Sequence, residues 1–242
     1  MDPAPPGALE APRLPRPRPQ RVTLAGRWVR MEPFDAARHA RGLYAASSGP
    51  GAAQRHAYLF DDPPRDLAEA TRRVEADAAR EDPLAFAVVD VADGEALGRQ
   101  SLMRIEPAHG VVEIGHILWG PAMARSRRAT EAFWLAARHV FDTLAYRRLE
   151  WKCNAANAPS RAAARRFGFR YEGTFRQHMW IKGRNRDTAW FGMTDGDWQA
   201  LRPVYAAWLE PANFDAEGRQ RRRLGELAAA AGLHGAGDDT PP

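Results

Sequence analysis

The sequence predicts an α/β protein of the α+β mixed-sheet kind: about seven mostly antiparallel strands, a central βαβ crossover and flanking helices. Three observations carry that expectation. A β-rich run, Val111–Trp119, is broken at Gly120–Pro121 and followed by a segment with apolar residues at helical spacing; a second β-rich run follows at Arg148–Asn154. A helix between two strands makes them a parallel pair. Upstream, the runs Leu84–Val91 and Ala96–Ile105 are joined by Asp93–Gly94, and a turn at Pro107–Gly110 leads into Val111, so antiparallel neighbours feed the crossover.

Taken in order, residues 1–20 hold prolines at 3, 5, 6, 12, 15, 17 and 19, interleaved with arginine. That composition favours extended backbone and cannot pack a core, so a disordered leader is expected. Val22–Pro33 reads as two short strands about Gly26, with Val29 and Met31 alternating against Arg30 and Glu32. A helix is expected over Phe34–Ala46, a turn over Ser47–Gly51, and a second helix over Asp62–Arg80, ended by Pro83. The crossover helix has the clearest period: Ala129, Ala132, Phe133, Ala136, Ala137, Val140, Phe141 and Leu144 form one apolar face. Glu131, Arg138, His139 and Asp142 are then expected to face water. A short helix, Pro159–Phe167, is capped by Gly168. Strands at Phe169–Ile181 and Arg186–Thr194 flank a Lys182–Asn185 turn, and Asp195–Leu209 is the last helix. The domain is expected over residues 21–209, with residues 210–242 a loosely attached tail, partly helical or disordered.

Composition narrows the function classes. The formal net charge is +5, nearly all the positive charge being arginine, interspersed with acids; this permits nucleic-acid contact without demanding it. The single cysteine, Cys153, excludes an internal disulfide and a cysteine zinc site. No apolar run has the length of a signal peptide core or a membrane span, so a cytoplasmic protein with no membrane partner is expected. The arginine-rich turn, Ala122–Arg128, precedes a helix whose first N–H groups have no internal acceptor, which favours an anion and points to a phosphate-bearing ligand.

The motifs go further. Leu24-Ala25-Gly26-Arg27-Trp28-Val29 resembles the first hairpin of the RimJ/RimL branch of the GCN5-related N-acetyltransferases. Glu113-Ile114-Gly115 followed by Ala129-Thr130-Glu131-Ala132 is similar to that branch's acetyl-CoA motif. Asn157, Ser160, Arg166-Phe167-Gly168-Phe169 and Glu172-Gly173-Thr174 resemble its second motif. The resemblance spans about Val22–Trp198. One position departs: aligned through Ala129, the pyrophosphate loop carries Arg127 where the family has glycine and Ala124 where it has Gln or Arg.

The resemblance implies acetyl-CoA as co-substrate and direct transfer, in a ternary complex, to a primary amine on a protein N-terminus or a small molecule. The pantetheine arm would lie between Val111–Trp119 and Arg148–Asn154, along the backbone of Ile117, Leu118 and Trp119. The N–H groups of Arg125–Thr130, with the side chains of Arg125, Arg127 and Arg128, would receive the pyrophosphate; Ala129 and Thr130 belong to that turn. Glu113 is the first candidate base and His116 the alternative. Ser160 is the candidate acid toward the thiolate, or a helix cap; Asn157 is a hydrogen-bonding partner of the arm, or likewise a cap. Cys153 reads as a buried strand thiol. The hairpin Phe175–Trp190, with Arg176, Gln177, His178, Trp180 and Arg184, would wall the acceptor side or serve a homodimer. No metal ligand set is present. The rival functions are a non-catalytic acyl-CoA-binding module, and a ribosome- or RNA-associated protein using the leader and the arginines of Arg219–Arg223.

Overall fold

The computed structural model describes residues 13–233; the expectations for residues 1–12 and 234–242 lie outside them. The strands are β1 (Leu24–Ala25), β2 (Val29–Pro33), β3 (Leu84–Asp90), β4 (Ala96–Glu106), β5 (Val111–Trp119), β6 (Arg148–Asn154), β7 (Arg170–Ile181) and β8 (Arg184–Thr194). They form one eight-stranded sheet in the order β1-β2-β3-β4-β5-β6-β8-β7. Every pairing is antiparallel except β5 with β6. The helices are α1 (Ala36–Ser47), α2 (Ala52–His56), α3 (Leu67–Ala78), α4 (Arg127–Arg138), α5 (Ala158–Arg166), α6 (Asp195–Trp208) and α7 (Leu224–Ala230).

Local chemistry sets the helix starts. Asp35 accepts from the N–H of Arg38 and begins α1; Asp66 accepts from Glu69 and begins α3. The second helix is therefore shorter than expected, because Pro63 and Pro64 belong to the loop before the cap. Helix α2, which begins just after the expected Ser47–Gly51 turn, is too short to leave a periodic signal. Thr194 and Asp197 make a reciprocal capping box at α6.

The sheet separates two environments. On one face Val112, Ile114, Leu149, Trp151, Phe191 and Met193 pack with α4, α5 and α6 in the main core. Phe133 of α4 stacks on Phe167 at 4.4 Å between centroids and is fully buried; such burial stabilises by roughly 1.5–3 kcal/mol. The opposite face is covered by α1 and α3, where Phe34, Leu43 and Val74 meet Ala85, Ala87 and Val89. That cover stops short of β6 and β8, leaving a recess.

Four expectations change. Glu131 is buried, not solvated: its carboxylate accepts the N–H groups of Arg27, Trp28 and Val29 at 2.7, 2.7 and 2.8 Å. Two of the quoted motifs thus meet, and Gly26 is needed there because a Cβ would lie 2.6 Å from that carboxyl carbon. His139 is also buried, in a π-helical turn (His139–Thr143) that continues α4. Residues 210–233 pack against the domain: Phe214 meets Trp28 and Trp208 edge-on, Leu224 is buried, and Gln220 accepts from the Trp208 indole. Residues 13–20 lie along the surface, held by the Arg16 N–H to Pro107 and Arg18 to the Glu81 carbonyl.

Candidate active site

Strands β5 and β6 pair only from Val111–Arg148 to Glu113–Glu150. Beyond that point β6 pairs with β8 alone, and the edge of β5 from Ile114 to Trp119 faces no strand among the described residues. A bulge accompanies the parting: β4 goes from Arg99 to Ser101 while β5 goes from Leu118 back to Gly115, so β5 carries one extra residue at His116–Ile117. His116 takes up the bulge with φ +50°.

The gap opens into a cavity of about 330 Å³ lined by residues from both faces of the sheet. Strand alternation sorts its lining. On the core face lie Trp119, Trp151, Cys153, Ser160 and Ala163, and the cavity reaches Ala124 beside the arginine-rich turn. On the opposite face lie Arg104, Glu113, Lys152, Arg186, Thr188 and His178, roofed by Tyr58–Phe60. Lys182 pins that roof by donating to the His56 and Asp61 carbonyls at 3.1 and 2.8 Å, while the Tyr58 hydroxyl reaches the Ala156 carbonyl at 3.2 Å.

Glu113 is buried with its Oε2 held by both Arg104 and Lys152, the latter at 3.0 Å. Lys152 also pairs with Glu150 at 2.8 Å and sits 3.9 Å over the Trp190 ring. Glu113 Oε1 has no partner among the described residues. Burial and nearby Arg99 hold the His116 imidazole below its ordinary value, so it is neutral at neutral pH. On the other face the Trp151 indole donates to Ser160 Oγ at 3.0 Å, leaving the hydroxyl proton for another acceptor. Asn157 is the cap of α5, accepting from the Ser160 N–H at 3.1 Å. Cys153 lies buried beside Ser160, and burial pushes its thiol up, away from the thiolate a nucleophile needs.

The arginines of the turn are not equivalent. Arg127 lies over the Trp28 and Phe214 rings at 4.8 and 5.4 Å, and Arg128 pairs with Asp90 at 2.7 Å. Arg125 is exposed, with φ +54°. No side chain caps α4, because the Ser126 hydroxyl turns back to the Met123 carbonyl. Ala129 and Thr130 are buried in the first turn of α4, and Ile117, Leu118 and Trp119 lie along the parted strand edge. The Trp119 indole N–H is buried without a partner among the described residues.

Sequence reasoning missed the roof, Arg104, Lys152 and Arg186. The one available signal was the alternation Arg186, Thr188, Trp190 along β8, which puts their side chains on one face.

Comparison with known proteins agrees with this architecture. An acetyltransferase (GNAT) domain family matches residues 29–170. A GCN5-related N-acetyltransferase from Brucella melitensis is 53% identical; the match covers 89% of this chain and 98% of that one, with a TM-score of 0.87. A GNAT-family protein of Chromobacterium violaceum is 38% identical over 81% of this chain and 100% of that one, TM-score 0.71. An acetyl transferase of Salmonella typhimurium that modifies the N-terminal serine of a 50S ribosomal subunit protein shares the fold at 19% identity, over 72% of this chain and 99% of that one, TM-score 0.62. Comparison with curated proteins gives no match. With more than half its length matched by the family and a 53% identical relative aligned along most of the chain, the protein belongs to the GNAT family of acetyltransferases.

Proposed function

We propose that the protein transfers an acetyl group from acetyl-CoA to a primary amine by direct attack within a ternary complex. The observation that carries this is the parting of β5 and β6 after Glu113, which joins a core-face compartment to an opposite-face compartment through one cavity. The residues present fit an acyl-CoA. The unpaired edge of β5 offers backbone donors and acceptors to an extended amide chain, and the unpartnered Trp119 indole adds one donor. The uncapped first turn of α4, Arg127–Thr130, offers N–H groups to a diphosphate, with Arg125 as the free side chain.

The bound thioester supplies an activated acetyl carbon: the amine nitrogen bonds to it, the carbon–sulfur bond breaks, and sulfur leaves as thiolate. The chain supplies position and proton traffic. Glu113 Oε1 draws the substrate ammonium toward the vertex of the gap. Neutral His116, on the bulge, takes the proton, which leaves the amine lone pair free. The Ser160 hydroxyl, its oxygen already occupied by Trp151, turns its proton toward the departing sulfur. This division modifies the expectation that Glu113 is the base, since its Oε2 is already shared by two cations. The acceptor is a peptide N-terminus or a small amine; the Salmonella enzyme is the example of the former among the structures compared.

The test is thiol release from acetyl-CoA against a panel of N-terminal peptides and small amines, with a thermal shift on CoA addition. Turnover with at least one amine is expected, and His116→Ala should lower kcat on the order of 100-fold and remove the acid limb of the pH profile. CoA that produces no thermal shift would remove the reading. An acid limb lost in Glu113→Gln and kept in His116→Ala would exchange the two roles.

A further inference from the structure

Of the arginine and lysine side chains lining the cavity, Arg186 alone has neither an ion pair nor a hydrogen bond from its terminal nitrogens among the described residues. Arg104 and Lys152 are both paired with Glu113. Arg55 spends its guanidinium on the Ser48 and Pro50 carbonyls. Arg186 is 7% exposed, yet makes no ion pair among the described residues. Its Nε donates to Thr188 Oγ1 at 3.3 Å, and its guanidinium lies 4.9 Å over the Phe60 ring. The two terminal nitrogens have no partner among the described residues, and Arg186 is one of the residues lining the cavity. Burying a guanidinium without a counter-ion is costly, and an anionic ligand would offset that cost by supplying one.

Location narrows the ligand. Arg186 shares the sheet face of Thr188 and Lys152, because Thr188 is in register with Asn154 and Trp190 with Lys152. This is the acceptor face, away from α4 and α5. Phe60 links Arg186 to the reacting end: its ring centroid is 6.1 Å from that of His116. A ligand lying along Phe60 would have one end at His116 and the other at Arg186. Arginine presents a planar fork that a carboxylate meets with two parallel hydrogen bonds.

Resting on the acetyl-transfer reading above, we propose that the acceptor is an amine that also carries a carboxylate, bound through Arg186 while its amino group meets His116. Arg186 is then the specificity-determining residue for the acceptor and has no part in holding the co-substrate.

Two arms test this. In the first, without acetyl-CoA, the intact chain is titrated with a panel of N-acetylated amino acids and short peptides, as free acids and as the matching carboxamides, and its thermal shift is measured. At least one acid should bind, with its carboxamide binding on the order of 10- to 100-fold more weakly, the loss expected for a charge-assisted pair. Arg186→Gln should erase the difference. In the second, the KM of the corresponding free amines is measured: Arg186→Gln should raise it for the acid by a similar factor and leave the KM of acetyl-CoA unchanged. Acids and carboxamides that bind alike to the wild-type chain, or no binding by any acid, would overturn the proposal, and neither result depends on Arg186→Gln folding. Acid-selective binding with no turnover of any amine would instead remove the acetyl-transfer reading while leaving the anion site.

Discussion

The first turn of α4 and the wall of the cavity on β8 both present arginine to a gap in the protein, yet their charges have different occupations. At α4, Arg127 is spread over Trp28 and Phe214, Arg128 is neutralised by Asp90, and Glu131 one turn along is consumed by three backbone N–H groups of the first hairpin. On β8, Arg186 is buried and unpaired among the described residues. A run of arginines beside a helix terminus suggests phosphate binding, but most of this run fastens the helix to the β1–β2 turn, the end of β3 and the C-terminal segment. Arg125 of the turn is exposed, whereas Arg186 is the buried arginine of the cavity wall whose terminal nitrogens have no partner among the described residues. Charge count in the sequence does not measure charge available to a ligand; the neighbours decide it.

Removing the structural side of that contrast should give the largest effect. Glu131→Ala leaves three N–H groups without their acceptor and should cost on the order of 3–5 kcal/mol in chemical denaturation. A loss under about 1 kcal/mol would mean water replaces the carboxylate and the turn is less committed than the geometry says. Next comes the pair within the turn. Arg127→Ala should lower stability by about 1–2 kcal/mol through lost ring contact and leave the KM of acetyl-CoA within about twofold. Arg125→Ala should do the reverse, raising that KM roughly 3- to 10-fold at unchanged stability, the range of an exposed charge near phosphate. Exchanged outcomes would restore Arg127 as the phosphate ligand.

The smallest effect concerns pH. Burial holds His56, His116 and His139 below the ordinary 6.5, so the folded chain refuses protons that the unfolded chain accepts. Stability should therefore be full above pH 6.5 and decline as pH falls below it, seen as a lower Tm at about pH 5.5 than at about pH 7.5. His139→Phe, which replaces a buried imidazole lacking a partner at Nε2 among the described residues, should flatten that decline. An unchanged slope would place the titration on the other two.

Much of this was legible in the residues. Val111–Trp119 and Arg148–Asn154 have the same limits in the sequence and in the structure; Gly120–Pro121 marks the end of the first and the Arg147–Arg148 pair the start of the second. Ser160, Glu113 and the parted edge were reachable through motif order. Helical periodicity misassigned Glu131, since a 3.6-residue period places a charged residue in water and says nothing of a neighbouring hairpin that needs an anion. Alternation along β8 could give the face of Arg186, but its meeting with the Tyr58–Phe60 roof could not be found by local pattern, because it forms only when a loop near residue 60 reaches β8 across the sheet. The bulge at His116 was equally hidden, being a mismatch in length between two strands rather than a property of either.

The proposed mechanism places the co-substrate on the α4–α5 face of the cavity and the acceptor on the other. A crystal structure of the chain with CoA tests it directly. The pantetheine arm is expected between β5 and β6, its diphosphate at the N–H groups of Arg127–Thr130, its sulfur near Ser160, and Arg186 still uncontacted. A CoA whose diphosphate sits on Arg186, or whose arm lies outside the β5–β6 gap, would contradict it.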